Sequence, residues 1–139
     1  MQTVSRATGL PWVDAALLQA LTWYRWRWSR PMTLWRLVDV VDILFREEPS
    51  FDDISFSLPR LLAAGLVEVK RNNAGEVTLK ATRAAFGVKA DAGRAGTSLA
   101  EALGALPYES EDPGDRSRGR YPDLSSEDWS AVRKHLDYA

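Results

Sequence analysis

A change in the spacing of apolar residues at Leu66 constrains the fold of this chain more than any other feature. Before it, Leu58, Leu61 and Leu62 recur at a helical spacing. After it, apolar and polar residues alternate in two short runs, 67–70 and 76–80, separated by the turn-forming stretch Asn-Asn-Ala-Gly. The sequence therefore predicts a helix that leads directly into an antiparallel hairpin.

The apolar faces of the two runs also predict a register for the hairpin. Matching them pairs Val69 with Val77 and leaves a three-residue loop, 72–74, followed by Gly75 as a left-handed bulge. The same register sets Lys70 opposite Glu76, an exposed ion pair worth about 0.2 to 1 kcal/mol. We expect Thr82 to cap a short turn after the hairpin, ending at Gly87.

Three helical segments are predicted between Thr33 and the hairpin. Thr33 is a suitable N-cap for the first, which ends at Glu47-Glu48-Pro49 because the residue before a proline disfavours helical geometry. Ser50 and Asp53 resemble a capping box for a short second helix. A turn at 55–56 and a cap at Ser57 then begin the third, 58–64, with Pro59 in its first turn and Gly65 as its left-handed end.

Tryptophans mark a predicted N-terminal helix at about 11–30. Apolar residues recur every four positions along one side, and Trp12, Trp23 and Trp26 lie on the other. Two apolar sides require two neighbours, so we expect one side in the core and these three tryptophans in a homodimer interface. Arginines interleaved with these aromatic residues would also allow the helix to bind single-stranded nucleic acid. Because Tyr24 and Trp28 fall on the inward side of the helix, we favour packing in the core and in a dimer.

Residues 89–139 are predicted to form an acidic extension. Ser98 and Glu101 form a capping box for a helix that runs to about Leu106. The loop 107–122 is rich in charge, glycine and proline, and we expect part of it to be mobile. A last helix begins at Ser125 or Ser126, and its stripe of Trp129, Val132 and Leu136 should dock on the main body.

Composition excludes several classes of function. A chain of 139 residues is expected to form a single domain, 1–139. It contains no cysteine and one histidine, His135, and has no glycine-rich phosphate loop or metal-ligand spacing, so we expect no enzyme, no metal and no cofactor. The sequence shows no signal peptide and no long apolar run, which predicts a cytoplasmic protein without a membrane partner.

Two passages carry a resemblance to a known family. The stretch SFDDI followed by LPRLLAAGLV is similar to the helix, turn and glycine-leucine-valine passage of bacterial regulators of the MarR and PadR groups, and LKATRAAF is similar to the strand and threonine turn after their wing. The resemblance implies a mostly α-helical fold with a small β-hairpin. It would be a winged helix-turn-helix at about 33–88, with extra N-terminal and C-terminal helices. The whole chain also resembles actinobacterial proteins, a likeness that implies no activity.

The resemblance further implies a transcriptional regulator that binds duplex DNA. Ser57 and Arg60 would lie near the bases, and the wing would hold phosphates through Lys70, Arg71, Asn72, Asn73 and Lys80. Residues 20–90 carry 11 lysines and arginines against 8 acidic residues, which permits such binding. One arginine cannot specify a site, however, and Asp52 and Asp53 would repel phosphates. The alternative is a winged-helix adaptor that binds another protein.

Overall fold

The computed structural model of this chain describes residues 12–23, 30–104 and 119–137. The described part is mostly helical and contains a small antiparallel sheet of three strands. The helices are α1 (Trp12–Leu21), α2 (Leu34–Phe45), α3 (Phe51–Ala63), α4 (Arg83–Ala95), α5 (Leu99–Gly104) and α6 (Ser126–Asp137). The strands are β1 (Met32–Thr33), β2 (Val67–Arg71) and β3 (Val77–Ala81).

The predicted hairpin is present, but its predicted register is wrong by two residues. Val69 lies opposite Leu79 rather than Val77, and Lys70 lies opposite Thr78 rather than Glu76. A shift of two residues keeps every side chain on its predicted face, so the alternation of the sequence fits both registers. The strand β1, which the sequence pattern did not predict, pairs with the other edge of β3 and makes β3 the central strand.

Hydrogen bonds in the turn explain the observed register. The Asn72 side-chain oxygen accepts from the backbone N–H groups of Ala74 and Glu76, at 2.9 Å each. The Gly75 N–H donates to the Asn72 carbonyl, and Gly75 has a φ of 82°. Its predicted left-handed conformation is therefore confirmed. The turn closes where the Asn72 N–H donates to the Glu76 carbonyl at 2.9 Å, one residue later than the sequence indicated.

The most important correction concerns the third helix. The two helices predicted on either side of a turn at 55–56 are one continuous helix, α3, and Pro59 is inside it rather than in a first turn. The capping box is confirmed, because the Ser50 hydroxyl accepts from the Asp53 N–H at 3.0 Å and the Asp53 carboxylate accepts from the Ser50 N–H at 2.9 Å. Ser57 is not a cap, since its side chain bonds elsewhere.

The N-terminal helix is shorter than predicted. It ends at Leu21, not near Pro31, and the Thr22 hydroxyl turns back to donate to the Leu18 carbonyl at 2.6 Å. The Lys89 ammonium of α4 donates to the Thr22 carbonyl at 2.5 Å, where burial lowers the lysine's pKa. A cation at this end stabilises the helix because the last carbonyls, which lack a donor within the helix, carry partial negative charge. Residues 24–29 lie outside the described residues.

The elements after the hairpin differ in one respect from the prediction. Thr82 caps a helix of 13 residues, α4, and not a short turn that ends at Gly87. The capping box of Ser98 and Glu101 is confirmed at the start of α5, whereas residues 105–118 lie outside the described part. Ser125 caps α6, and the apolar stripe of α6 docks through the buried Val132 as expected.

The core lies between α1, α2, α3 and the sheet. Leu58 and Leu61 are fully buried, as their spacing predicts, and Leu62 is half-buried. The side chains of α1 and α2 that face this core include Leu17, Leu21 and Leu37. Within the described residues, no helix combines the length and apolar character that crossing a membrane requires.

Candidate functional site on the third helix

The two α3 residues predicted to read DNA bases are buried in a polar cluster with Asp14 of α1. The Ser57 hydroxyl donates to Asp14 Oδ1 at 2.6 Å. Arg60 donates from Nε to Asp14 Oδ2 at 3.0 Å and from Nη2 to Oδ1 at 2.8 Å. The side chains of Arg60 and Asp14 are 5% and 0% exposed. Ser57 and Arg60 are therefore buried inside the protein, where they cannot contact DNA.

Helix phase explains why these polar groups meet. Ser57 and Arg60 are three residues apart and so share one side of α3, which packs against α1. Burial raises the pKa of Asp14, while the hydrogen bonds from Arg60 and Ser57 and the charge of Arg60 act in the opposite direction. A buried carboxylate with a side-on guanidinium and a hydroxyl has its main acceptor sites filled. The cluster therefore ties α1 to α3.

The sequence contains one signal for this cluster that the apolar periodicity alone does not reveal. Asp14 is the only charged residue of α1, in a helix that is otherwise almost entirely apolar. Acidic residues are seldom fully buried unless they are paired, so a lone acid in such a helix indicates a buried partner elsewhere. The sequence alone could not identify that partner, because Arg60 is 46 residues away.

Most predicted phosphate-binding residues of the hairpin are engaged within the chain. Arg71 donates to the Asp128 carboxylate at 2.9 Å, to the Gly75 carbonyl at 2.7 Å and to the Asp123 carbonyl at 2.6 Å. Its side chain fastens the hairpin tip to the start of α6. The Asp128 pKa is lowered, chiefly by the hydrogen bond from Arg71.

Of the other four predicted hairpin residues, Lys80 and Asn72 also have partners within the chain. Lys80 lies 3.9 Å from Glu68 of the neighbouring strand, and Asn72 holds the turn with its side chain. Lys70 and Asn73 are exposed. The structure thus leaves two of the predicted phosphate contacts, Lys70 and Asn73, on an open surface, whereas Ser57 and Arg60 are buried.

The outward side of α3 is acidic and aromatic at its N-terminal end. Asp52 and Asp53 are exposed in the first turn, and Phe51 and Phe56 are half-buried. Arg120 contacts this side, with Nη1 2.6 Å from Asp52 Oδ1 and its guanidinium carbon 4.6 Å from the centre of the Phe56 ring. This side of α3 therefore binds the Arg120 cation and carries little that would attract a phosphate.

Two of the three predicted dimer-interface residues, Trp12 and Trp23, lie beside residues of α2 on a second surface. Trp12 is 55% exposed and meets the Phe45 ring edge-on at 5.5 Å. Trp23 is half-buried beside the exposed Ile43, and Trp26 is outside the described residues. Trp12 and Ile43 are large apolar side chains that remain exposed, and the homodimer stays a prediction.

The described part of the chain contains no candidate metal site. No group of three histidine or acidic side chains there is placed to hold a metal ion. His135 stacks on Trp35 with ring centres 4.5 Å apart, so its ring serves as a packing surface for α2. Comparison of the chain with protein-family models, curated proteins and solved structures gives no match.

Proposed function

We propose that this chain is a winged-helix adaptor that binds another protein and does not read duplex DNA with α3. The order of α2, a short loop, α3 and a hairpin supports the winged-helix assignment, with α2 and the continuous α3 as the two helices of the motif. A winged helix does not by itself imply DNA binding, because one fold serves many functions.

The burial of Ser57 and Arg60 against Asp14 is the observation that carries this proposal. Specific readout of a base pair needs side chains that reach the base edges in the groove, and Arg is the most common donor to guanine. Here the only arginine of α3 is held by a carboxylate inside the protein. The exposed first turn of the same helix offers Asp52 and Asp53, which repel phosphates.

Duplex DNA binding through the hairpin is the second candidate, because Lys70 and Asn73 are exposed near its tip. Such contacts would position a duplex without reading its sequence. With few phosphates neutralised, the logarithm of the affinity would fall with the logarithm of salt concentration by a slope of only about −1 to −3.

A titration with a fluorescent random duplex at low salt separates the two candidates. The adaptor predicts no association in fluorescence anisotropy, and no difference among wild type, Lys70→Ala and the matched control Lys134→Ala on α6. Binding that weakens with salt and is lost in Lys70→Ala but kept in Lys134→Ala would contradict the adaptor. Both lysines are exposed, so neither substitution should disturb the fold.

A further inference from the structure

Pro59 leaves an open hydrogen-bond acceptor on α3. In a regular helix the residue at position 59 would donate its N–H to the Ser55 carbonyl, but proline has no N–H. The backbone N–H of Tyr121 donates to that carbonyl instead, at 2.9 Å. A segment distant in sequence thus satisfies a group that the helix itself cannot.

Arg120 adds three side-chain contacts beside this hydrogen bond. It lies 2.6 Å from Asp52 and stacks over the rings of Phe56 and Phe51 at 4.6 and 5.8 Å. Residues 51, 52, 55 and 56 share one side of the helix, since positions three and four apart are neighbours. We call these four residues the α3 face, and we call residues 119–124 the strap.

The strap is anchored independently at its other end. Leu124 is buried in the core, and Arg71 of the hairpin donates to the Asp123 carbonyl at 2.6 Å. The contacts of the Arg120 side chain with the α3 face are more open, because the Arg120 and Asp52 side chains are about half exposed, at 47% and 51%. Ion pairs and cation–π contacts at exposed sites are weak, so this end of the strap is the displaceable one.

We propose that the α3 face is a binding site for an extended, arginine-containing segment of a partner protein, and that the strap occupies this site as an intramolecular competitor. The inference rests on the proposed adaptor function and names the chemistry of its partner. A ligand needs one backbone N–H for the Ser55 carbonyl and one guanidinium for Asp52 and the two rings. The exposed Asp53 beside the site favours a basic segment further.

The strap itself supplies the probe for a test. A synthetic peptide with the sequence of residues 119–124, GRYPDL, is titrated into the isotope-labelled full chain and followed by NMR shifts of the α3 amides. In Arg120→Ala the tethered competitor loses its side-chain contacts, so the peptide should bind this variant about tenfold more tightly than it binds wild type. A peptide with alanine in place of its arginine should bind at least tenfold more weakly.

Two further substitutions locate the binding site. In the Arg120→Ala background, Asp52→Ala should reduce the affinity for GRYPDL at least fivefold. Asp91→Ala, which removes an exposed, ion-paired acid on α4, should leave the affinity unchanged. Equal binding to wild type and Arg120→Ala, equal effects of the two acid substitutions, or no binding at millimolar peptide would each overturn the proposal.

The outcome of the peptide titration can be distinguished from that of the DNA titration, which tests the proposed function. Salt-dependent DNA binding lost in Lys70→Ala would contradict the adaptor whatever the peptide does. Absence of both DNA binding and peptide binding would remove only the α3 face as the partner site.

Discussion

Removal of Asp14 should destabilise the protein severely, because it leaves two buried partners without an acceptor. The carboxylate accepts three hydrogen bonds, one from Ser57 and two from Arg60, in a cluster that is nearly solvent-free. Breaking a buried ion pair by removing one member costs about 3 to 5 kcal/mol, which is a large part of the 5 to 15 kcal/mol that stabilises a typical domain. We therefore expect Asp14→Ala to lower the free energy of unfolding by about 4 kcal/mol.

A double-mutant cycle measures the interaction energy between Asp14 and Arg60. Arg60→Met should also cost about 3 to 5 kcal/mol, whereas Asp14→Ala with Arg60→Met should cost little more than one single substitution, because no buried charge is left unpaired. Ser57→Ala removes one hydrogen bond to a charged group and should cost about 1.5 to 3 kcal/mol, which keeps a folded variant in the series. Urea denaturation at pH 7, followed by circular dichroism, gives all four values.

The buried pair should also show a pH dependence with a definite sign. Burial raises the pKa of Asp14 above its usual value of 3.8, and loss of Arg60 removes an opposing influence. An acid whose pKa is raised by folding binds its proton more tightly in the folded state, so acidification through that pKa adds stability. Arg60→Met should therefore recover stability relative to wild type as the pH falls from 7 towards 4. Additive single costs at pH 7, or a deficit that grows on acidification, would refute the buried pair.

Three other predictions concern the periphery. Asp128→Asn should destabilise the protein above pH 4 and lose this effect as the pH falls further, because Arg71 lowers the pKa of Asp128 below 3.8. Thermal melts in which the difference from wild type stays constant from pH 6 to pH 2 would contradict this. Pro59→Ala should speed hydrogen exchange of the Tyr121 amide about 3- to 10-fold, because the new N–H competes for the same carbonyl; unchanged exchange would show that the proline is irrelevant. Ile43→Ser should lower the dimer fraction in light scattering without loss of stability, since Ile43 is 67% exposed, and a monomeric wild type at high concentration would remove the dimer.

Local signals in the sequence predicted much of the fold. The capping boxes at Ser50 and Ser98 and the apolar stripe of α6 are correct, because each depends on residues within one or two helical turns. The hairpin was predicted correctly, but its predicted register was wrong. A shift of two residues preserves the alternation of apolar and polar residues, and the hydrogen bonds of the Asn72 side chain determine which register forms.

The candidate site was predicted poorly because its contacts are long-range. Ser57 and Pro59 are ordinary signals for a helix start, and they suggested a break where α3 continues. What keeps the helix continuous lies elsewhere in the chain. Asp14 binds the Ser57 hydroxyl from 43 residues away, and the carbonyl freed by Pro59 is satisfied by Tyr121. Neither partner can be read from residues 50–64.

Exchange of the Arg60 Nε–H group, measured by NMR, reports whether this arginine is held inside the protein or is free to meet DNA. The buried pair with Asp14 predicts a slowly exchanging resonance whose position does not change when duplex DNA is added at low salt. The Nε–H of Arg94, an arginine on the exposed surface of α4, provides the reference for fast exchange. An Arg60 resonance that exchanges as fast as that of Arg94, or that shifts on addition of duplex, would contradict both the buried pair and the adaptor.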